Sequence, residues 1–373
     1  MTESDVPAVR LDTVSKRFDG SAEAAVERLS IDIPRGSIVT LIGPSGCGKT
    51  TTLRMINRLV EPTSGRIEVE GKDTSTLDPV RLRLGIGYVI QAVGLFPHRS
   101  IADNIAVVPR ALGWDRARTR RRVEELAELV GLDEEQLARF PDELSGGQQQ
   151  RVGVARALAA DPPILLMDEP FGAVDPVVRA RLQQELLALQ ERVRKTIVLV
   201  THDLDEALAV ADRVALLDRG GRLAQYAEPD VLLSDPAEEF VVEFLGADRS
   251  LRRLALRTVG EVRLGRGPIV EVGTGAAEAR DVLRREGGEW LGVVEGGRFL
   301  GWIHGDGLPQ VGALGREGLE APAALVGPGD TLRAAMDRLM TAHTAVAVVV
   351  GDEGFLGVVT LEGIRRALAG DDR

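Results

Sequence analysis

The stretch Gly43-Pro44-Ser45-Gly46-Cys47-Gly48-Lys49-Thr50 follows the apolar, β-branched run SIVTLI and leads into LRMINRLV. A G-x-x-x-x-G-K-[ST] pattern between a strand and a helix is the context of a phosphate-binding loop. Its glycines let backbone N–H groups converge on phosphate oxygens, and the helix N-terminus behind adds its positive dipole end. Lys49 is placed to reach the β- and γ-phosphates of a nucleotide and the Thr50 hydroxyl to hold Mg²⁺, with Thr51 closing the loop. Of 46 basic residues only Lys16, Lys49, Lys72 and Lys195 are lysines, so the one in the loop is read as chosen for its compact point charge.

Around this loop, PAVRLDTVSKRF, AVERLSIDIP, SIVTLIG and GRIEVEG read as strands; residues 100–160 turn helical, as in RARTRRRVEELAELVGL; and strands return in PPILLMDEP, KTIVLVTHD and DRVALLD with helices between them. Strand alternating with helix predicts an α/β fold with a parallel sheet, and a helical insertion within it. ILLMDEP ends in two carboxylates: Asp168 suits the Mg²⁺ shell and Glu169 is placed to polarise an attacking water.

The run LSGGQQQRVGVARAL, from Leu144, resembles the signature of the ATP-binding cassette (ABC) proteins and stands in that family's order between phosphate loop and DEP strand. The resemblance implies a RecA-like P-loop core with an antiparallel β subdomain and a helical subdomain at about residues 92–160, all within a domain 1–246. It also implies roles: Gln91 in GYVIQ as the glutamine that senses the γ-phosphate and helps hold Mg²⁺, Asp175 in GAVDP, His202 in VTHD as a switch histidine, and Phe18 in SKRFDG as the ring that stacks on adenine. In this family two cassettes pack head to tail, so each ATP lies between one chain's loop and the partner's Ser145, Gly146, Gly147 and Gln148. A homodimer is therefore expected. Cys47 sits at a helix N-terminus, which lowers a thiol's pKa, so ATP is expected to shield a reactive thiol from alkylation. His98 and His343 are read as structural.

GYVIQAVGLFPHRSIADNIAVVPRALGW, residues 87–114, and ADPPILLMDEPFGAVDP are similar to the ATPases of glycine betaine, carnitine, choline and proline importers. That resemblance implies a separate transmembrane permease, docked in part at Leu95, Phe96 and Ile101, an extracytoplasmic substrate-binding protein acting through it, and a peripheral place on the cytoplasmic face of the inner membrane. An importer for another solute such as an amino acid, or a soluble ABC ATPase outside transport, stays open.

After about residue 247 glycine rises and a repeat appears: WLGVVEGGRFLGWIHGDGL above TAVAVVVGDEGFLGVVTLEGI aligns Phe299-Leu300-Gly301 with Phe355-Leu356-Gly357. Each copy reads helix, strand, turn, strand, helix start, and two copies form one pseudo-symmetric module. It resembles a tandem pair of CBS modules, an α+β regulatory unit, divided at 247–310 and 311–373. The family's ribose-binding pattern is not met, since His304 and Gly307, then Thr360 and Gly363, occupy its positions. A nucleotide ligand, a structural dimerising role, or anionic membrane sensed by Arg280, Arg284, Arg285, Arg365 and Arg366 are the readings left.

A 44% hydrophobic and 28% charged composition fits a globular chain, and the net charge of −11 argues against a general nucleic-acid binder. No apolar run reaches membrane-spanning length, the start MTESDVPAVR is unlike a signal peptide, and the single cysteine agrees with a reducing, cytoplasmic setting.

Overall fold

The computed structural model describes residues 6–91, 94–172, 174–342, 344 and 346–369. The chain divides into two compact units, Met1–Gly246 and Ala247–Arg373.

In the first unit, β1 (Val9–Lys16) and β2 (Val26–Ile33) pair antiparallel, β3 (Ile38–Ile42) runs into the phosphate loop, and α1 (Lys49–Ile56) leaves it. β4 (Ser64–Val69) and β5 (Lys72–Asp73) complete a sheet of order β2-β1-β4-β5. Next come α2 (Pro79–Leu84), β6 (Ile86–Val89), α3 (Ile101–Ile105), α4 (Val107–Ala111), α5 (Arg116–Leu129), α6 (Glu134–Ala138) and α7 (Gly146–Leu158). The unit closes with β7 (Ile164–Asp168), α8 (Pro176–Val193), β8 (Thr196–Val200), α9 (Leu204–Val210), β9 (Arg213–Leu217), β10 (Leu223–Ala227), α10 (Pro229–Ser234) and α11 (Glu239–Leu245).

The second sheet has the order β10-β9-β3-β8-β7-β6, parallel except for the edge strand β10. β3, β7 and β8 are buried at every position, which is why they read as unbroken apolar runs rather than alternating ones. Each such Ile, Leu or Val contributes about 1.5–3 kcal/mol of burial. The α/β expectation holds, and the helical stretch is α3 to α7; residues 92 and 93, at its expected start, lie outside the described residues.

The second unit contains α12 (Arg249–Leu256), β11 (Ile269–Glu271), α13 (Ala276–Glu286), β12 (Trp290–Glu295), β13 (Arg298–His304), β14 (Leu325–Val326), α14 (Leu332–Thr341), β15 (Val346–Gly351), β16 (Gly354–Thr360) and α15 (Leu361–Ala369). Two three-stranded sheets, β11-β12-β13 and β14-β15-β16, repeat one pattern, a parallel pair followed by an antiparallel hairpin. The repeated Phe-Leu-Gly is a β-bulge in both. Val293 and Val294 face Gly301 and Phe299, and Val349 and Val350 face Gly357 and Phe355, so Leu300 and Leu356 are the extra residues. The Phe299 and Phe355 rings lie 5.9 Å apart.

Two features differ from the repeat as read in sequence. The first copy does not restart a helix after β13 but makes one 3₁₀ turn at Gly305–Gly307, because two glycines and Pro309 disfavour a longer one. The cores also interchange chain across residues 310 and 311: Leu254, Val259 and Val262 pack with Val326, Leu339 and Val359, whereas Leu314 and Leu319 pack with Leu291 and Ile303.

Candidate nucleotide site

The sheet order explains how residues far apart in sequence meet. Lys49 follows β3, His202 follows β8, Asp168 and Glu169 end β7, and Gln91 follows β6, all at the C-terminal ends of successive parallel strands. Ser45, Gly46, Gly48, Lys49, Thr50 and Thr51 line a hollow of about 390 Å³ together with Ala25, Glu169 and His202. The N-cap of α1 is Gly48, with no side-chain cap bond and no acid in the first turn, so no carboxylate or hydroxyl of the cap competes with an anion for that helix end. Gly48 has φ +91°, and a Cβ there would lie 2.2 Å from the Ala25 carbonyl oxygen. Only glycine allows that approach.

Lys49 is 7% exposed; its ammonium donates to the carbonyls of Gly43 at 2.7 Å and Pro44 at 3.1 Å, and more weakly to Cys47 Sγ at 3.7 Å. Gly43 and Pro44 thus hold the lysine rather than line the hollow. The Thr50 hydroxyl donates to Asp168 Oδ1 at 2.9 Å. Burial pushes the Asp168 carboxyl up from its ordinary pKa, opposed by the Thr50 bond and the charge of Arg54. Tyr88 also hydrogen-bonds Asp168, and burial raises its phenol. Neither Arg54 nor Tyr88 was singled out in the sequence; Tyr88 stands in the quoted GYVIQ, and the signal would have been its in-out phase on β6.

Glu169 has φ +47°, a strained conformation for a side-chain-bearing residue, and its N–H bonds the Val200 carbonyl at 2.9 Å. That twist aims the carboxylate across the strand ends. Gln91 Nε2 donates to one oxygen at 2.7 Å, and His202 Nδ1 lies 3.2 Å from the other. A carboxylate held on both sides, beside the loop hollow, is arranged to accept a proton from water.

The other expected residues are placed differently. Phe18 is 45% exposed with the Lys16 ammonium 5.1 Å from its ring centre, so it is not a core ring, and it does not line the hollow. Ser145 caps α7, with Gln148 reciprocating, Gly146 and Gly147 open that helix, and Asp175 caps α8; none of them lines the hollow of this chain. Cys47 overturns the expectation of a reactive thiol. It is 1% exposed, and burial raises its pKa more than Lys49 and the helix amides lower it.

Outside the nucleotide site, Ile101 is fully buried and Leu95 packs on the core, leaving Phe96 as the exposed member of that trio at 38%. Asn104, buried and unremarked in sequence, accepts from the Phe96 N–H and donates to the carbonyls of Phe96, Arg99 and Ser100, pinning the GLFPH loop. His98 stacks edge-on against Phe96, and His343 lies outside the described residues. In the second unit, Thr360 accepts from Gly363 N–H and His304 from Asp306 N–H, local caps rather than free groups. Arg284 pairs with Asp281, Arg365 and Arg366 share Glu362, and Arg280 donates to the Ala276 and Pro309 carbonyls. With Glu278 and Glu286 also on α13, four carboxylates stand against Arg280, Arg284, Arg285, Arg365 and Arg366 on the two helices, so little net positive charge is left for a membrane surface to meet.

Residues 26–172 match the family described as ABC transporter, and residues 320–370 match the CBS domain. The chain is 44% identical to the osmoprotectant import ATP-binding protein OsmV of Salmonella typhimurium, over 93% of this chain and 92% of that protein. It is 42% identical to the choline transport ATP-binding protein OpuBA of Bacillus subtilis, over 94% and 93%. With the glycine betaine/carnitine/choline transport ATP-binding protein OpuCA of Bacillus subtilis it shares 52% over 65% of this chain and 64% of that one. A solved dimeric ATP-binding cassette in a post-hydrolysis state, bound to ADP and Pi, is 34% identical with a TM-score of 0.53, covering 59% of this chain and 98% of its own. Because the likeness to OsmV and OpuBA runs through both units, the chain as a whole belongs to the ABC transporter family, among the ATP-binding proteins of osmoprotectant importers.

Proposed function

We propose that this chain is the ATP-hydrolysing subunit of an importer for quaternary-amine osmolytes such as glycine betaine, carnitine or choline, or for proline, acting through a separate permease that receives solute from an extracytoplasmic binding protein. The observation that carries the ATPase reading is the Glu169 carboxylate held between Gln91 and His202 beside the loop hollow.

In this reading Lys49 exchanges its weak contact to Cys47 Sγ for a phosphate oxygen while keeping its two carbonyl partners. Glu169 takes the proton of the attacking water, and Gln91 and His202 report the loss of the γ-phosphate through their bonds to it. Thr50, Asp168 and Gln91 are the residues that would hold Mg²⁺, which when bound neutralises phosphate charge. The donor set fits that ion: the Thr50 hydroxyl and the Asp168 carboxylate stand 2.9 Å apart at the loop, and Mg²⁺ is typically held by one or two carboxylates plus phosphates and water. Ser145, Gly146, Gly147, Gln148 and Asp175 stand away from their own chain's hollow, which supports a head-to-tail homodimer in which they complete the partner's site. Phe18 is free to stack on adenine.

No helix among the described residues is long and apolar enough to cross a membrane, so the transport path is assigned to the permease, with this chain peripheral on the cytoplasmic face. Phe96, on a loop stiffened by Asn104, is the apolar contact offered to it. The CBS unit is assigned regulation, with a nucleotide favoured over anionic membrane because four carboxylates on α13 and α15 offset all but one of the five helix arginines. The test is uptake of radiolabelled glycine betaine by the reconstituted complex across internal salt concentrations. ATP-dependent uptake is expected, and ATP hydrolysis without uptake of any quaternary amine would sink the substrate assignment.

A further inference from the structure

Packing does little to hold the His202 ring: its side chain is 61% exposed, and it meets Glu169 at 3.2 Å through Nδ1. Its place is set by its two chain neighbours. Thr201 is 1% exposed, its N–H bonds the Leu41 carbonyl at 3.3 Å, and its hydroxyl accepts from the Asp203 N–H at 3.0 Å. Asp203 caps α9, where its Oδ1 accepts from the N–H groups of Asp205 at 2.9 Å and Glu206 at 3.2 Å. Its other oxygen, Oδ2, accepts from Arg179 Nη1 at 3.0 Å.

Arg179 belongs to a different element. It stands in the first turns of α8, whose cap is Asp175; its N–H bonds the Asp175 carbonyl at 2.8 Å, and Nη2 reaches the Val174 carbonyl more loosely at 3.4 Å. One guanidinium thus ties the segment that carries Asp175 to the segment that carries His202. Its Nε is buried without a hydrogen-bond partner. A desolvated donor left unanswered works against stability, and a partly exposed ion pair adds little to it, so the placement of this fork is explained better by what it positions than by what it stabilises.

We propose that Arg179 is a positioning residue for ATP hydrolysis: by tying the start of α8 to Asp203, it sets where His202 stands against Glu169. The role rests on the reading of Glu169 as proton acceptor and His202 as its reporter. In the head-to-tail dimer proposed above, where Asp175 completes the partner's site, the same tie lets a segment seated in one site brace the histidine of the other.

The test is phosphate release by full-length variants. Arg179→Met is expected to lower kcat about tenfold while the KM for ATP stays within about twofold, because misplacing a group at the reacting centre costs rate rather than nucleotide binding. Asp203→Asn keeps an oxygen to cap α9 but removes the charge that Arg179 meets; it is expected to give the same loss without touching α8, which keeps the test open if the Arg179 variant folds poorly. Arg181→Met, which removes the bond to Glu185 on the same helix, is expected to keep the parent kcat. In single turnovers with the chain in excess over ATP, Arg179→Met is expected to take nothing further from His202→Ala, whereas a merely structural arginine would cost the same in both backgrounds. Parent-like kcat in Arg179→Met and Asp203→Asn, or equal losses with and without His202, overturns the proposal while the ATPase reading stands. Parent-like turnover in His202→Ala overturns the reading of His202 and the role of Arg179 with it.

Discussion

Replacing Glu169 with glutamine isolates the proposed proton acceptor from the shape around it. The carboxylate accepts from Gln91 Nε2 at 2.7 Å and lies 3.2 Å from His202 Nδ1. A glutamine amide can point its oxygen at Gln91 and its NH₂ at His202, whose Nδ1 accepts when the neutral ring carries its proton on Nε2. Both contacts survive, so the fold and the nucleotide hollow are expected to be unchanged. What disappears is a basic oxygen and a negative charge. General-base catalysis is typically worth about 10²–10⁴ in rate, or roughly 3–5 kcal/mol of barrier. Phosphate release by the full-length E169Q chain is therefore expected to fall by about 10²–10⁴ while ATP affinity stays within about threefold, and light scattering is expected to show a dimer that persists in ATP. Turnover within about threefold of the parent would refute the reasoning, because it would leave Glu169 a ligand of Gln91 and His202 without a part in proton transfer.

Three further outcomes follow from the geometry. Gly48→Ala places a Cβ against the Ala25 carbonyl at φ +91° and is expected to cost about 1–3 kcal/mol and abolish binding of a fluorescent ATP analogue; retained binding would mean the loop relaxes freely. Glu206 is 4% exposed and burial pushes its carboxyl up to about 7, against an ordinary value of 4.5, so between those values the folded chain holds a proton the unfolded chain has lost. Stability then declines as pH rises toward 7, by about 3 kcal/mol in all, and E206Q is expected to raise the melting temperature at pH 8 but not at pH 5; an equal shift at both would refute the burial argument. Cys47, buried and with a raised pKa, is expected to alkylate about tenfold more slowly in the native chain than in urea, with or without ATP, as read by intact mass.

Much of the nucleotide site was legible because its pieces are contiguous. A glycine loop, a capped LSGGQ helix and a strand ending in two carboxylates are each built from residues within a few positions of one another, so each can be picked out in the sequence as a candidate. The Cys47 reading failed for a related reason: the helix-terminus effect is local and visible in sequence, while the burial that outweighs it comes from packing around the loop. Asn104 and Tyr88 escaped notice because a polar residue in a helix or strand shows nothing of its partners until those are placed.

In the second unit, the sequence by itself determined that two Phe-Leu-Gly copies repeat one substructure; only the tertiary structure showed that the shared tripeptide is a β-bulge and that Leu254, Val259 and Val262 pack with the second copy. In the first unit the sequence singled out the residues proposed to handle phosphate. The tertiary structure decided that Gln91, Glu169 and His202 form one row, Gln91 hydrogen-bonded to Glu169 and His202 Nδ1 3.2 Å from it, because their neighbourhood depends on the order β8-β7-β6, which brings together strand ends far apart in the chain.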